Sequence, residues 1–244
     1  MHAALEAEGI VVQFGGLVAV NDITLSLDEG EIFGLIGPNG AGKTTLFNAL
    51  TGYAPMRRGK VSLFGEDITQ LPAFVRARLG IGRTFQIERP FEELTVLENV
   101  LIPAFLHRAR RSDAERVAWD ALEQAGIADR AHQPSADLNL ARRRRLELAK
   151  ALSLKPKVLF LDELMAGLNP PALAEMIGFV RTLTKSGLAV LMVEHIMKAV
   201  VELCDHVMVL ASGERIAEGS PEQVTNDPKV IEAYLGDSDE PGDR

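Results

Sequence analysis

The stretch EIFGLIGPNGAGKTTLFNALTG (31–52) constrains this chain more than any other. EIFGLIG (31–37) is a short apolar strand, and TTLFNALTG (44–52) has helical spacing closed by Gly52. Between them lies GPNGAGKTT (37–45), which fits G-x-x-x-x-G-K-[ST]. Its place after a strand and before a helix turns the pattern into a phosphate cradle. Gly37, Gly40 and Gly42 let backbone N–H groups wrap phosphates, and Pro38, Asn39 and Ala41 complete the loop. Lys43 offers a point charge to the β- and γ-phosphates, Thr44 offers a hydroxyl to Mg²⁺, and Thr45 closes the run. The helix N-terminus adds a favourable dipole. The expected ligand is a nucleoside triphosphate with Mg²⁺. Adenine and guanine both fit this loop, but no N-K-x-D base-reading motif follows, which weighs against a GTPase.

A strand, a loop and a helix in that order belong to α/β architecture. KVLFLD (157–162) and LAVLMVE (188–194) are apolar runs flanking a helix near 171–185, so they read as buried parallel strands. Residues 5–14 and 17–27 alternate around Gly15-Gly16 as a hairpin, and HVMVLASGERIAEG (206–219) forms another with its turn at Ser212-Gly213. The middle, roughly 88–152, is helical, with Ser112 expected as an N-cap and Glu115 as its capping-box partner. VLFLDE (158–163) ends a strand in two carboxylates: Asp162 suits Mg²⁺ held through water, and Glu163 is placed to polarise an attacking water.

Bulk composition removes several alternatives. With 244 residues, 47% of them hydrophobic, the chain can bury a real core. A net charge of -8 excludes a general nucleic-acid binder, so any basic contact surface must be local. A lone cysteine, Cys204, excludes an internal disulfide and fits a reducing compartment. MHAALEAEG carries acid where a signal peptide carries Lys or Arg. The most apolar region, 188–211, is interrupted by Glu194, His195, Lys198, Glu202 and Asp205, which defeats a membrane span of about 20 residues. A soluble chain is therefore expected.

Several motifs in one order make the chain resemble the ATP-binding subunit of ABC transporters, most closely the type serving branched-chain (hydrophobic) amino acid importers. GPNGAGKTT matches the Walker A loop, VLFLDE Walker B, RTFQ (83–86) the Q-loop, AGLNP (166–170) the D-loop and VEH (193–195) the switch histidine. FGGLVAV (14–20), RTFQIERPFEELTVLENV (83–100) and DPKVIEAYLG (227–236) carry the narrower likeness. The resemblance implies a P-loop NTPase core with a parallel sheet, an N-terminal antiparallel β subdomain and a helical insertion subdomain. It implies one domain over 1–236: 1–87 and 153–220 as core lobe, 88–152 as helical subdomain with the signature region, and 221–236 as C-terminal helix. The acidic tail 237–244 is expected to be disordered.

The implied roles follow residue by residue. Phe14 stacks on adenine, Gln86 contacts Mg²⁺ and senses the γ-phosphate, and His195 hydrogen-bonds the γ-phosphate. Ala166, Gly167, Leu168 and Asn169 form the D-loop. Two such subunits sandwich two ATP molecules, each facing the other subunit's signature loop. Membrane permease subunits complete the transporter, fed by a periplasmic or surface substrate-binding protein, with this chain on the inner face of the cell membrane. Urea, short amides or a lipid are alternative cargoes. A soluble ABC protein on nucleic acid or ribosomes is a further alternative, but such proteins carry paired domains or long insertions that this sequence lacks.

The signature region departs from the family pattern. The family reads L-S-G-G-Q, or L-S-Y-G-Q before Q-R-R-L-E. Here Leu138, Asn139, Leu140, Ala141 and Arg142 occupy those positions, inside DLNLARRRRLELAKAL (137–152). Arg144 and Arg145 match the ordinary Arg pair, whereas Arg142 and Arg143 replace glutamines. Asn139 is expected to cap the following helix. Ala141 replaces a glycine, and if that position needs φ > 0 the change costs roughly 1–2 kcal/mol. The expectation is asymmetry: a working site at this chain's own Walker loop, a slower one opposite its signature, and a heterodimer with a second ABC subunit.

Overall fold

The computed structural model describes residues 3–85, 90–106, 108 and 110–235. The chain opens with a hairpin of β1 (Ala3–Phe14) and β2 (Leu17–Asp28), turned at Gly15 with φ 57°. With β4 (Arg58–Leu63) and β5 (Glu66–Asp67) it forms an antiparallel sheet in the order β2-β1-β4-β5. A second sheet has the order β10-β9-β3-β8-β7-β6, from β3 (Ile32–Ile36), β6 (Ile81–Arg83), β7 (Val158–Asp162), β8 (Ala189–Val193), β9 (His206–Ala211) and β10 (Glu214–Gly219). Its neighbours from β9 to β6 run parallel, and only β10 is antiparallel.

Both faces of the parallel sheet are covered, which is why β3, β7 and β8 are buried at every residue. Successive side chains point to opposite faces. Phe33, Leu35, Val158 and Phe160 therefore join an apolar core shared with the N-terminal sheet and helix α1 (Lys43–Leu50). Ile32, Ile36, Leu159 and Leu161 join a second core on the other face. That second core continues into α3 (Val96–Ala104), α4 (Arg111–Gln124), α5 (Leu140–Ser153) and α6 (Pro170–Thr184). The helices between β6 and β7 thus share a core with the sheet. Shorter helices α2 (Ala73–Leu79), α7 (Met197–Leu203), α8 (Pro221–Thr225) and α9 (Pro228–Leu235) complete the order. No helix among the described residues is long and apolar enough to cross a membrane.

Two expectations meet different outcomes here. Capping boxes form at Thr95 and Glu98 on α3 and at Ser220 and Gln223 on α8, not at Ser112. Helix α4 begins at Arg111, one residue before Ser112, and Glu115 binds the Arg111 guanidinium at 2.8 Å. An ion pair one turn along the helix has replaced the cap. The tail 237–244 lies outside the described residues.

Candidate active site

The phosphate loop is held open by backbone that other residues cannot copy. Gly37 has φ 145° and Gly42 has φ 99°, both in left-handed space. A Cβ on Gly37 would lie 2.1 Å from Leu210 O, and one on Gly42 would lie 2.4 Å from Ala19 O. The loop is braced from the far hairpin, because Gly213 N donates to Ala41 O at 3.0 Å and Asn21 N donates to Gly213 O at 2.8 Å. Lys43 Nζ donates to Gly37 O at 2.6 Å and Pro38 O at 2.8 Å, which keeps its ammonium over the loop. Thr44 and Thr45 follow in the first turn of α1. Asn39 and Gly40 are exposed at the mouth.

A cleft of about 640 Å³ runs from Phe14 at the end of β1, across this loop, to Glu163. Phe14 is about half exposed, which leaves room for a planar ligand against its ring. Ser212 and Gly213 also line the cleft, a wall that the sequence marked only as a turn. Glu163 has φ 46°, a strained conformation for a side chain that is not glycine. Its N–H donates to Val193 O at 2.9 Å, so the strain is held by β8. Such an outlier points toward function. His195, just past β8, is exposed, and its Nδ1 lies 3.9 Å from Glu163 Oε1, beyond hydrogen-bond range.

Asp162 is buried at the end of β7. Its N–H donates to Thr84 Oγ1 at 3.1 Å, and its Oδ2 pairs with Arg83 at 3.2 Å. Burial pushes its carboxyl up and Glu163 adds repulsion, while Arg83 opposes both. Burial equally pulls the Arg83 guanidinium down. The other oxygen, Oδ1, is buried and makes no hydrogen bond among the described residues. A buried carboxylate oxygen left without a hydrogen bond fits Mg²⁺, which takes few protein ligands and keeps its waters. Gln86, the third expected ligand, lies outside the described residues. Arg83 belongs to the same RTFQ run, and its partner Asp162 lies too far along the chain for the sequence to show the pair. Its guanidinium also donates to Asn48 Oδ1 at 2.7 Å and lies over the rings of Phe47, Tyr53 and Phe85.

The signature region sits apart from this cleft, beside a smaller hollow of about 280 Å³ that includes Asn139, Ala141 and Arg142. Leu138 is buried, and Asn139 Oδ1 accepts the Arg142 N–H at 3.0 Å as the N-cap of α5. Ala141 lies inside α5 with ordinary helical backbone, so the conditional strain of a φ > 0 position does not arise. The arginine run is mostly a brace. Arg143 donates to Leu138 O and Ala136 O, both at 2.9 Å. Arg144 is buried and reaches Ala166 O at 3.5 Å. Arg145 binds Ala125 O at 3.0 Å and Glu175 at 3.2 Å. Arg142 alone is loosely engaged, 3.9 Å from Asp129. In the loop 166–169, Gly167 passes under Leu140, Leu168 is half-buried and Asn169 caps α6 through the Ala172 N–H at 3.0 Å.

Comparison with known proteins agrees with this geometry. Residues 20–166 match the family model described as ABC transporter, and residues 214–240 match the model described as branched-chain amino acid ATP-binding cassette transporter. The chain is 39% identical to the high-affinity branched-chain amino acid transport ATP-binding protein BraF of Pseudomonas aeruginosa, over 96% of this chain and 98% of that protein. It is 40% identical to LivG of Salmonella typhimurium, which bears the same description, over the same shares. Among solved structures, the ADP conformation of an ATP-binding cassette of an ABC transporter superposes with a TM-score of 0.88 at 31% identity, covering 97% of this chain and 99% of the other. A nucleotide-free cassette gives the same score and identity.

Proposed function

This chain belongs to the ABC transporter ATP-binding family, and from that premise we propose that it powers an importer of branched-chain amino acids. It is an ATPase subunit of the α/β cassette fold. The match at residues 214–240 carries the choice of cargo, because that segment lies outside the general ATPase motifs.

In this reading ATP enters the cleft with its adenine on Phe14 and its phosphates on the loop 37–45. Loop N–H groups and Lys43 stabilise the charge that spreads over the transferred phosphoryl group. Glu163 takes the proton of the attacking water, His195 donates to the γ-phosphate, and Asn169 with its loop faces the partner subunit. Mg²⁺, held by Thr44, Gln86 and Asp162, would neutralise phosphate charge when bound. Arg83 keeps Asp162 oriented, since removing one member of a buried pair leaves the other uncompensated.

The chain works at the inner face of the membrane through permease subunits that a binding protein supplies. Its companion is a second ABC subunit, and its own signature residues Leu138–Arg142 face the companion's ATP. Arg142, whose loosely held charge replaces a glutamine, supports the heterodimer, whereas the Ala141 backbone is unstrained and does not. The experiment is reconstitution with the permease subunits and binding protein in proteoliposomes. Leucine, isoleucine or valine should raise ATP turnover and ATP should drive their uptake. Stimulation by urea or a short amide instead would replace the cargo, and no stimulation by any would remove the importer reading.

A further inference from the structure

Glu194 is a buried acid with no role in the site so far. It follows β8, directly before His195, and is 2% exposed. Its Oε1 accepts the Met165 N–H at 3.0 Å. Its Oε2 is buried and makes no hydrogen bond among the described residues. Burial pushes the carboxyl up to about 7, against the amides of Met165, His195 and Ile196, and Glu163 adds repulsion. A carboxylate retained in so costly a place invites a geometric reason.

The loop after β7 supplies one. Glu163 stands in left-handed backbone, a conformation that persists only when its surroundings over-determine it. Two amides tie this loop to the end of β8: Glu163 N–H to Val193 O at 2.9 Å, and Met165 N–H to Glu194 at 3.0 Å. The first is a strand-end contact that any residue at 193 provides through its carbonyl. The second needs a side-chain acceptor of the right length at 194. From α5, Arg144 reaches Ala166 O, further along the same loop, at 3.5 Å.

We propose that Glu194 is a positioning residue for hydrolysis: by accepting the Met165 N–H it locks the loop bearing Glu163 onto the strand end bearing His195. The two groups that act on the water and the γ-phosphate are then set relative to each other by this side-chain-to-backbone hydrogen bond together with the Glu163 N–H to Val193 O contact. The inference rests on the hydrolytic reading of Glu163 and His195. Phosphate-loop contacts do not pass through Glu194, so ATP binding should be nearly independent of it.

The test uses the full chain in its assembled transporter. Glu194→Ala should lower kcat by about 10- to 100-fold, the scale of a misplaced reacting group, while ATP affinity stays within about twofold. Glu194→Gln, whose amide oxygen still accepts the N–H, should recover most of kcat. Should the alanine variant fail to fold, Glu194→Asp takes its place: it keeps the charge, withdraws the acceptor by one methylene and should lose kcat as alanine does. Either shortened variant with kcat within about twofold of wild type, or a glutamine variant as slow as alanine, overturns the proposal. Glu163→Gln is the control. If it hydrolyses ATP normally, the reading of Glu163 falls and this inference with it; if it is inactive while Glu194→Ala is active, only the role of Glu194 falls.

Discussion

The Walker loop and the signature loop both sit at the N-terminus of a helix, and they are built in opposite ways. At the first, α1 is entered through Gly42 in left-handed backbone with no side-chain cap. At the second, α5 is entered through Asn139 in extended backbone, with its side chain capping Arg142 N–H. The Walker loop is specified by absent side chains, since atoms of Leu210 and Ala19 occupy the space where a Cβ would stand. The signature loop is specified by present ones, the asparagine cap and the bracing arginines. Loss of function should therefore follow backbone changes in one and side-chain changes in the other. This explains how Ala141 can replace a glycine in the signature while no such replacement fits Gly37.

The sharpest way to break this contrast is to exchange the substitutions. Gly37→Ala should abolish ATP binding measured with a fluorescent nucleotide, because backbone must move to relieve a 2.1 Å contact. Measurable binding near wild type would mean that the loop is not set by glycine. The next largest effect is on stability at the Walker side. Glu194 has its carboxyl raised from 4.5 to about 7, so the native state holds the proton more tightly than the unfolded chain does. Stability then falls as pH rises from 4.5 to 7 and the full cost, roughly 3 kcal/mol, is present above 7. Glu194→Gln should raise the melting temperature at pH 8 and lose that advantage near pH 5, read by thermal melts at both values.

On the signature side the effects shrink. Asn139→Ala removes the α5 cap and should cost about 1 kcal/mol in denaturant unfolding. Ala141→Gly should change ATP turnover of the assembled complex by less than about twofold, since the helical backbone there asks nothing of glycine. Arg142→Gln, which removes the loosely held charge, should speed the companion's site more than Ala141→Gly does. Equal effects from the two would return the cause of asymmetry to the backbone.

These loops also differ in how far the sequence betrays them. GPNGAGKTT between an apolar run and a helix determined the fold class and the cleft, because a phosphate cradle requires glycine at fixed places. The parallel strands were legible because burial on both faces demands unbroken apolar runs. The arginine run was not, since a guanidinium that ties two carbonyls looks in sequence like one that meets solvent or phosphate. Only the fold brings Ala136 O and Leu138 O within reach of Arg143, and Ala166 O within reach of Arg144. Arg83 and Glu194 were hidden for the same reason: their partners, Asp162 and Met165, lie far along the chain. Ser112 misled because a cap-like serine and Glu115 followed a loop, yet Arg111 claimed the glutamate first.

The account depends most on a complete hydrolytic site in this chain's own half, with Glu163 acting on the water. The most direct test is ATP turnover and ATP affinity of the assembled transporter carrying Glu163→Gln. Turnover should fall by about 10²-fold or more, as expected for loss of a general base, with ATP affinity within about twofold of wild type. Turnover that stays within about threefold of wild type would contradict it.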